Sequence, residues 1–353
     1  MAKMFLGVDI GSDSLKLALV SGGHVKKYVS VPIPNALVRE YRVVSVESMG
    51  ELIRNTMKEN GIRCKDAAIV FASETVFVRN VTTPRMTVDQ LVYNLPFEFR
   101  DYITEELKDY VFDYAMISTP EEILQEEEET PEGEQNQENA GEQDDEENMG
   151  TTMELLACAA PRSLVKESRD LLRKAGLRMA KAAPAVSAYT TLIRRLEKRE
   201  EGYGEYCILD LGYQAVRMYM FRGDRHIVTR NLEIGLSALD QALADAYNVD
   251  VHLAHTYLLN NFDNCQEKPA CVGAYGNIAV ELMRALNFYR FSNPDSQIND
   301  IWLCGGGAVI APLRQAIADT LDLQIHQAAD LVPGGDKLEN CYELVQAIGV
   351  AMD

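Results

Sequence analysis

Five apolar or small residues, 4–8, run up to Asp9, and a polar turn, Gly11-Ser12-Asp13-Ser14, separates them from a second apolar run beginning at Leu15. Two apolar runs joined by a turn rich in glycine and hydroxyls predict a β-hairpin. The plan returns at 207–221, where Cys207-Ile208-Leu209-Asp210-Leu211-Gly212 leads through a turn into 216–221. A third segment, Ile301-Trp302-Leu303-Cys304, passes through Gly305-Gly306-Gly307 into an expected helix at 308–321.

The rest of the chain alternates strands and helices. Strands are expected at 4–33 (three of them), 67–71, 76–81, 109–118, 153–159, 177–183, 205–211, 214–221, 225–232 and 300–304. A helix over 45–61 carries the stripe Met49, Leu52, Ile53 and Met57 and closes at Gly61. Thr87 or Asp89 can cap a helix that Pro96 then kinks or breaks. Further helices are expected at 161–175, 184–199, 236–247, 251–261 and 338–352. Another, at 273–291, carries the stripe Ile278, Leu282, Leu286 and Tyr289. The length and this mixture predict an α/β chain of at least two domains.

Charge changes the picture at one place. The formal net charge is −20, but residues 120–148 contain fourteen Asp or Glu and no Lys or Arg, leaving about −6 elsewhere. That segment has no aromatic residue and too little apolar surface to order itself, so a disordered loop is expected. A solubilising spacer is the plainest role, with a tether for a basic partner as the alternative. The remainder shows no basic face, which argues against nucleic acid. No apolar stretch approaches the ~20 residues of a membrane span. The N-terminus leads straight into the first strand, so no signal peptide is expected. Seven scattered cysteines with no CxxC suit buried thiols in a reducing cytoplasm. Cys265 and Cys271 lack neighbours for a metal site, and His252 with His255 is expected as a surface pair.

The hairpin turns carry the chemistry. Backbone N–H groups and hydroxyls gathered on one side of a tight turn make a concave donor surface for phosphate oxygens. Asp9 at the strand end suits a hydrated Mg²⁺, and Lys16 adds a positive charge. The alternative is an ordinary hairpin with a polar turn.

Two Asp-x-Gly hairpins followed by a triple-glycine turn resemble the actin and sugar-kinase ATPase superfamily. The resemblance implies an actin-like (ribonuclease H-like) ATPase fold in two halves. Val78-Arg79-Asn80-Val81-Thr82-Thr83-Pro84-Arg85-Met86, then Leu91, Phe97-Glu98 and Lys174-Ala175-Gly176-Leu177, resemble the type IV pilus assembly family PilM, a relative of the division protein FtsA. That family carries an α/β insert of 1C type. The implied organisation is subdomain 1A at 1–83, completed by 184–200 and 337–353; insert 1C at 84–183 with the acidic loop at 119–150; subdomain 2A at 201–235 and 299–336; and subdomain 2B at 236–298.

By the same resemblance the cofactors are ATP and Mg²⁺. Gly11, Ser12, Ser14 and Lys16 would cradle phosphates, Asp9 and Asp210 would hold Mg²⁺ through water, and Gly212 would let the second turn approach. Gly305, Gly306 and Gly307 would admit adenosine, and Glu281 and Arg284 would contact ribose and adenine, the alternative for that pair being an i,i+3 salt bridge. The second turn departs from the family pattern at Tyr213-Gln214-Ala215-Val216-Arg217, and the later helix departs at Ala254-His255-Thr256-Tyr257-Leu258. Hydrolysis requires a group that positions the attacking water, and Gln214 is the candidate. ATP binding is therefore expected, with hydrolysis weak or absent and nucleotide acting as a conformational switch. The implied role is a cytoplasmic scaffold at the inner face of the membrane, without membrane insertion of its own. Its implied partners are the N-terminal peptide of a PilN-like inner-membrane protein, the pilus inner-membrane complex and the motor, and a homo-oligomer is compatible with this. Leu91, Leu95, Phe97 and Phe99, in a stretch with more apolar side chains than one buried face requires, would line the peptide groove, between the insert and the first subdomain, the alternative being that they fill the insert's own small core. The alternatives are an FtsA-like division protein, for which the chain lacks a basic amphipathic tail, and a small-molecule kinase, for which no further catalytic base is evident.

Overall fold

The computed structural model describes residues 3–34, 37–117, 152–198 and 204–352. The expected loop at 119–150 lies outside the described residues. The chain divides into one unit of residues 1–72 with 166–353 and a second unit of residues 73–165.

The larger unit contains two five-stranded sheets built to one plan. In the first, β1 (Met4–Ile10), β2 (Ser14–Ser21) and β3 (His24–Pro32) form an antiparallel meander. β6 (Asp66–Phe71) and β10 (Arg178–Pro184) extend it in parallel beyond β1. In the second, β11 (Glu205–Leu211), β12 (Val216–Arg222) and β13 (Arg225–Leu232) form the meander. β14 (Asp300–Cys304) and β15 (Gln324–Gln327) extend it in parallel beyond β11. The expected strands fall in place, and β15 is an addition. So is a two-stranded ribbon, β4 (Val38–Arg39) with β5 (Arg42–Val43).

β2, β11 and β12 read as nearly continuous apolar runs because both of their faces are covered. Helix α1 (Val46–Glu59) starts at Ser45, whose hydroxyl accepts the Ser48 N–H at 3.2 Å, and it buries Met49, Ile53 and Met57. α3 (Arg162–Lys174) begins in the smaller unit and runs into the larger one. Between the sheets' shared elements lie α4 (Ala185–Glu197) and α9 (Cys341–Ala351), which pack on each other. α9 also touches β1, β2 and β6 of the first sheet and β14 of the second. Two glycines make this seat. A Cβ on Gly7 would stand 1.7 Å from the Ala347 carbonyl oxygen, and one on Gly349 would stand 2.5 Å from that of Ala188. The second half adds α5 (Ser237–Tyr247), α6 (Val251–Leu259), α7 (Pro269–Ser292) and α8 (Ala311–Leu321). The α7 stripe, Ile278, Leu282, Leu286 and Tyr289, is buried as its spacing predicts.

The smaller unit is a three-stranded antiparallel sheet in the order β7 (Phe77–Pro84), β9 (Thr152–Pro161), β8 (Tyr110–Met116). Its helix α2 (Val88–Asn94) is capped by Thr87, which forms a reciprocal box with Gln90. At Pro96 the chain tightens into a 3₁₀ turn, Leu95–Phe99. The insert expected at 84–183 is displaced at both ends. β7 already belongs to its sheet, while β10 pairs with β6 of the larger unit.

The expected groove is corrected too. Leu91, Leu95 and Phe99 are buried in the small unit's own core with Tyr110 and Leu155. Of the four only Phe97, at 46% exposure, reaches the surface. Buried side chains of that kind have no area left to offer a peptide.

The close seat of α9 yields a direct test. Gly7→Ala should destabilise the protein by about 3 kcal/mol, because the overlap is with backbone that has no rotamer to yield. A melting curve within a degree of wild type would show that α9 does not approach β1 in this way.

Candidate functional site

Each hairpin places a carboxylate and a cation opposite one another. Asp9 pairs across the ladder with Lys16, and Asp210 pairs in the same way with Arg217. Lys16 Nζ lies 3.7 Å from Asp9 Oδ2, and Arg217 Nη1 lies 3.2 Å from Asp210 Oδ2, all four side chains being largely buried. Burial pushes the Asp9 carboxyl above its usual range; Lys16 pulls it down and the neighbouring charge of Asp210 pushes it up further. Burial also works against the Lys16 ammonium, but Asp9, Asp13 and Asp210 outweigh it and raise its pKa.

Gly11 closes the first turn, its N–H donating to the Ser14 carbonyl at 2.9 Å. A Cβ there would stand 2.8 Å from Lys16 Nζ, so glycine leaves room for the ammonium. Ser12 and Ser14 are half-buried in the turn, and the Ser14 hydroxyl donates to Asp13. In the second turn a Cβ on Gly212 would stand 2.6 Å from the Ala215 carbonyl. Gln214 lies half-buried at this tip, its backbone against Gly235.

Asp210 is held from a second direction. Gln346 of α9 donates through Nε2 to Asp210 Oδ2 at 3.0 Å and to the Tyr189 hydroxyl at 2.9 Å. Tyr189 Oη lies 3.2 Å from Cys304 Sγ, and burial raises the pKa of both groups, keeping them neutral. The second carboxylate is therefore tied to both central helices and to the strand that precedes the glycine turn.

The three glycines of that turn differ. Gly305 has φ +83° and would place a Cβ 2.5 Å from Asp210 Oδ1. Gly307 would place one 2.8 Å from Leu211 Cβ and 2.9 Å from Leu236 Cδ2. Gly306 would meet only Leu236 Cδ1, at an ordinary 3.7 Å. Fold geometry explains the first and third glycines. Neither crowding nor backbone angle explains the middle one. The expected helix directly after the turn is instead a 3₁₀ turn, Gly306–Val309, with α8 starting at Ala311.

The second turn is bound to the start of α5. The carbonyls of Gly212 and Tyr213 accept from Leu236 N and Ser237 N at 3.1 and 2.9 Å. The Tyr213 ring meets the His255 ring edge-on, with centroids 5.4 Å apart. His255 Nδ1 in turn lies 2.8 Å from Oδ2 of Asp240, which is completely buried. His255 is thus tied to a buried carboxylate and is not the surface partner of His252. Glu281 and Arg284 pair with each other on an exposed face of α7.

Asp9 and Asp210 are two carboxylates rather than a full ligand set, which suits an ion that keeps most of its water. No group of three or more metal-ligating side chains occurs among the described residues, and Cys265 and Cys271 are free thiols. Arg217, Gln346, Asp240 and His255 were not among the expected site residues. A signal for Arg217 existed: Asp9 to Lys16 and Asp210 to Arg217 are both steps of seven.

The sequence matches the family described as "Type IV pilus assembly protein PilM" over residues 7–129 and 143–332. Among solved structures, one similar chain is from the "PilM-PilN type IV pilus biogenesis complex". It is 22% identical, with a TM-score of 0.78, and the match covers 99% of this chain and 98% of that one. Another is the ethanolamine utilization protein EutJ from Carboxydothermus hydrogenoformans, 12% identical, with a TM-score of 0.59, covering 99% and 90%. With the two matching sheets, these likenesses give the chain the actin-like ATPase fold.

Arg217→Met tests the second charge pair. It leaves a buried carboxylate with only Gln346 as a described donor and should lower stability by about 3 kcal/mol in a denaturant titration. An unchanged midpoint would mean that Asp210 does not depend on the guanidinium.

Proposed function

The chain belongs to the PilM family of type IV pilus assembly proteins, and from that premise we propose that it is a nucleotide-binding scaffold that docks the N-terminal peptide of a PilN-like inner-membrane protein. The observation that carries the nucleotide reading is the pair of turns whose carboxylates and cations act on one another, with Gly305 against Asp210 and a glycine at 306 that neither crowding nor backbone angle requires. Gly305, Gly306 and Gly307 would admit adenosine. Gly11, Ser12, Ser14, Lys16 and Gly212 would face the phosphates. Asp9 and Asp210 would hold Mg²⁺ through water. The ion would neutralise phosphate charge, while Lys16 and Arg217 keep the buried carboxylates compensated.

Hydrolysis is not supported by this arrangement. Each turn cation is engaged by its own carboxylate, and Gln214 sits in a turn fixed to α5. The protein is read as binding ATP and changing conformation with it, turning it over slowly or not at all. Its place at the inner face of the membrane would come through the partner. No helix among the described residues is long and apolar enough to cross a membrane.

The partner reading rests on the family and on the insert's surface. The similar solved complex is named for PilM with PilN. Here Val88, Val92, Tyr93, Phe97 and Tyr102 are exposed in a short stretch of the insert. Tyr93 packs edge-on against Phe97, Arg100 covers the Phe97 ring at 5.1 Å, and Arg79 covers Tyr102 at 3.8 Å. An apolar surface rimmed by guanidinium groups suits a peptide with apolar anchors and acidic or carbonyl acceptors.

Calorimetry with ATP and millimolar Mg²⁺ should show binding by the wild type and none by Gly306→Val, with equal melting temperatures in the absence of ligand. Wild type that binds no nucleotide, or a valine variant that binds as well, would overturn the nucleotide reading. For the partner, Phe97→Asp should remove binding of the PilN-like peptide while leaving the melting curve intact, whereas Phe99→Asp should unfold the insert. Full peptide binding by a folded Phe97→Asp protein would move the docking surface elsewhere.

A further inference from the structure

The cluster of Tyr213, Asp240 and His255 has no part in the nucleotide reading so far. Asp240 is a carboxylate with no exposure. Its Oδ2 accepts from His255, the neutral Tyr213 hydroxyl also acts on the carboxylate, and Oδ1 is buried without a close partner. A buried carboxylate that touches one ionisable base and no fixed cation among the described residues favours a positive charge on that base. His255 is that group, and its ring keeps about a quarter of its surface exposed.

The cluster lies at the second turn. Tyr213 belongs to that turn and covers one edge of the imidazole. Leu236, one turn of α5 before Asp240, abuts both Gly306 and Gly307. Asp13, in the first turn, acts electrostatically on both His255 and Tyr213. His255 thus sits within range of both turns. With Nδ1 committed to Asp240, Nε2 is the ring nitrogen left for a ligand.

We propose that His255, oriented by Asp240, is a phosphate-contacting cation of the nucleotide site, so that nucleotide binding takes up a proton. This rests on the nucleotide reading above. The chemistry follows from the tautomer. With the Nδ1 proton donated to Asp240, a neutral ring presents a lone pair at Nε2, which repels a phosphate oxygen. A proton taken from solvent at Nε2 converts that nitrogen into a charged donor. Lys16 and Arg217 are each engaged by a carboxylate of their own hairpin, so a third cation has charge to contribute.

The surrounding groups agree in sign. The hydrogen bond to Asp240 raises the His255 pKa most, burial opposes it, and the charges of Asp240 and Asp13 add to the rise. Burial, chiefly, and Asp240 keep the Tyr213 phenol neutral. Because the folded value is raised, the His255–Asp240 pair stabilises the protein fully below about pH 6.5 and loses that contribution as pH rises through the folded value.

Calorimetry of the full chain with Mg·ADP, from pH 6 to 8.5 in two buffers of different ionisation enthalpy, tests the assignment. Wild type should bind about tenfold more weakly at the upper pH and take up a proton on binding there, where the free imidazole is neutral. His255→Gln, whose amide can still donate to Asp240, should bind weakly with a profile set by the ligand's own titration alone. His255→Lys should bind well at both ends. If wild type and His255→Gln share one affinity and one pH profile, the imidazole is a structural tie between α5 and α6 and the proposal fails, while the nucleotide reading stands. If none of the three proteins binds, both fail. The wild-type proton uptake needs no variant, so a misfolded substitution does not rescue the idea.

Discussion

The Ala347 carbonyl oxygen occupies the place where residue 7 would carry a side chain. Much of the larger unit depends on that approach. It sets α9 close against β1, and the second approach, at Gly349, sets α4 close against α9. From this seat Gln346 reaches Asp210 on the second sheet, while the same helix packs on β1, which carries Asp9 one residue before its end. A larger residue at 7 or 349 would lift the helix by more than the slack in a hydrogen bond. The glycines that enable the site thus include two that never touch it. Their role is mechanical, and it is distinct from that of Gly306.

The charge arrangement follows from burial. Two carboxylates and two cations sit where water is largely excluded, so each charge costs several kcal/mol to place unless paired. Cross-strand pairing in each hairpin supplies the pair, and the antiparallel register fixes its geometry. Asp9 still feels burial more than it feels Lys16, which is why its carboxyl stays high. A divalent ion nearby would relieve exactly that imbalance, so a cation-accompanied ligand is better matched to this site than a bare anion. A cation already bound to a carboxylate is in general a poor stabiliser of developing phosphate charge.

The sequence disclosed what is written locally. A polar glycine turn between apolar runs is visible in a dozen residues, so both hairpins and the glycine turn were legible, as were the capped helix at Thr87 and the α7 stripe. What depends on pairing was not. β7 and β10 are both short apolar strands, and nothing in their composition says which sheet each joins, so the insert's limits were misjudged at both ends. Leu91, Leu95 and Phe99 looked surplus because the partners that bury them, Tyr110 and Leu155, come from strands some distance along the chain. Gln346 and Asp240 were silent for the same reason. A glutamine in an apolar helix and an aspartate in an amphipathic one have no local signature of what they hold. Gly305, Gly306 and Gly307 are identical letters, and only the neighbours of their absent side chains distinguish them.

The second turn illustrates how a departure from a family pattern acquires meaning. Tyr213 opens the stretch that departs from the expected family pattern, and alone that reads as loss of a phosphate loop. In the structure its carbonyl accepts the Ser237 N–H at the start of α5, its ring meets that of His255 edge-on, and Gly235 is glycine because anything larger would strike the turn's backbone. The turn, α5 and α6 are therefore bound by short-range contacts that would have to be broken together. A ligand touching this turn would act on α5 and α6 as well, since hydrogen bonds at 2.9 and 3.1 Å transmit a displacement that a flexible loop would absorb. Rigid coupling of this kind is what the proposed nucleotide-responsive scaffold would need of its second turn.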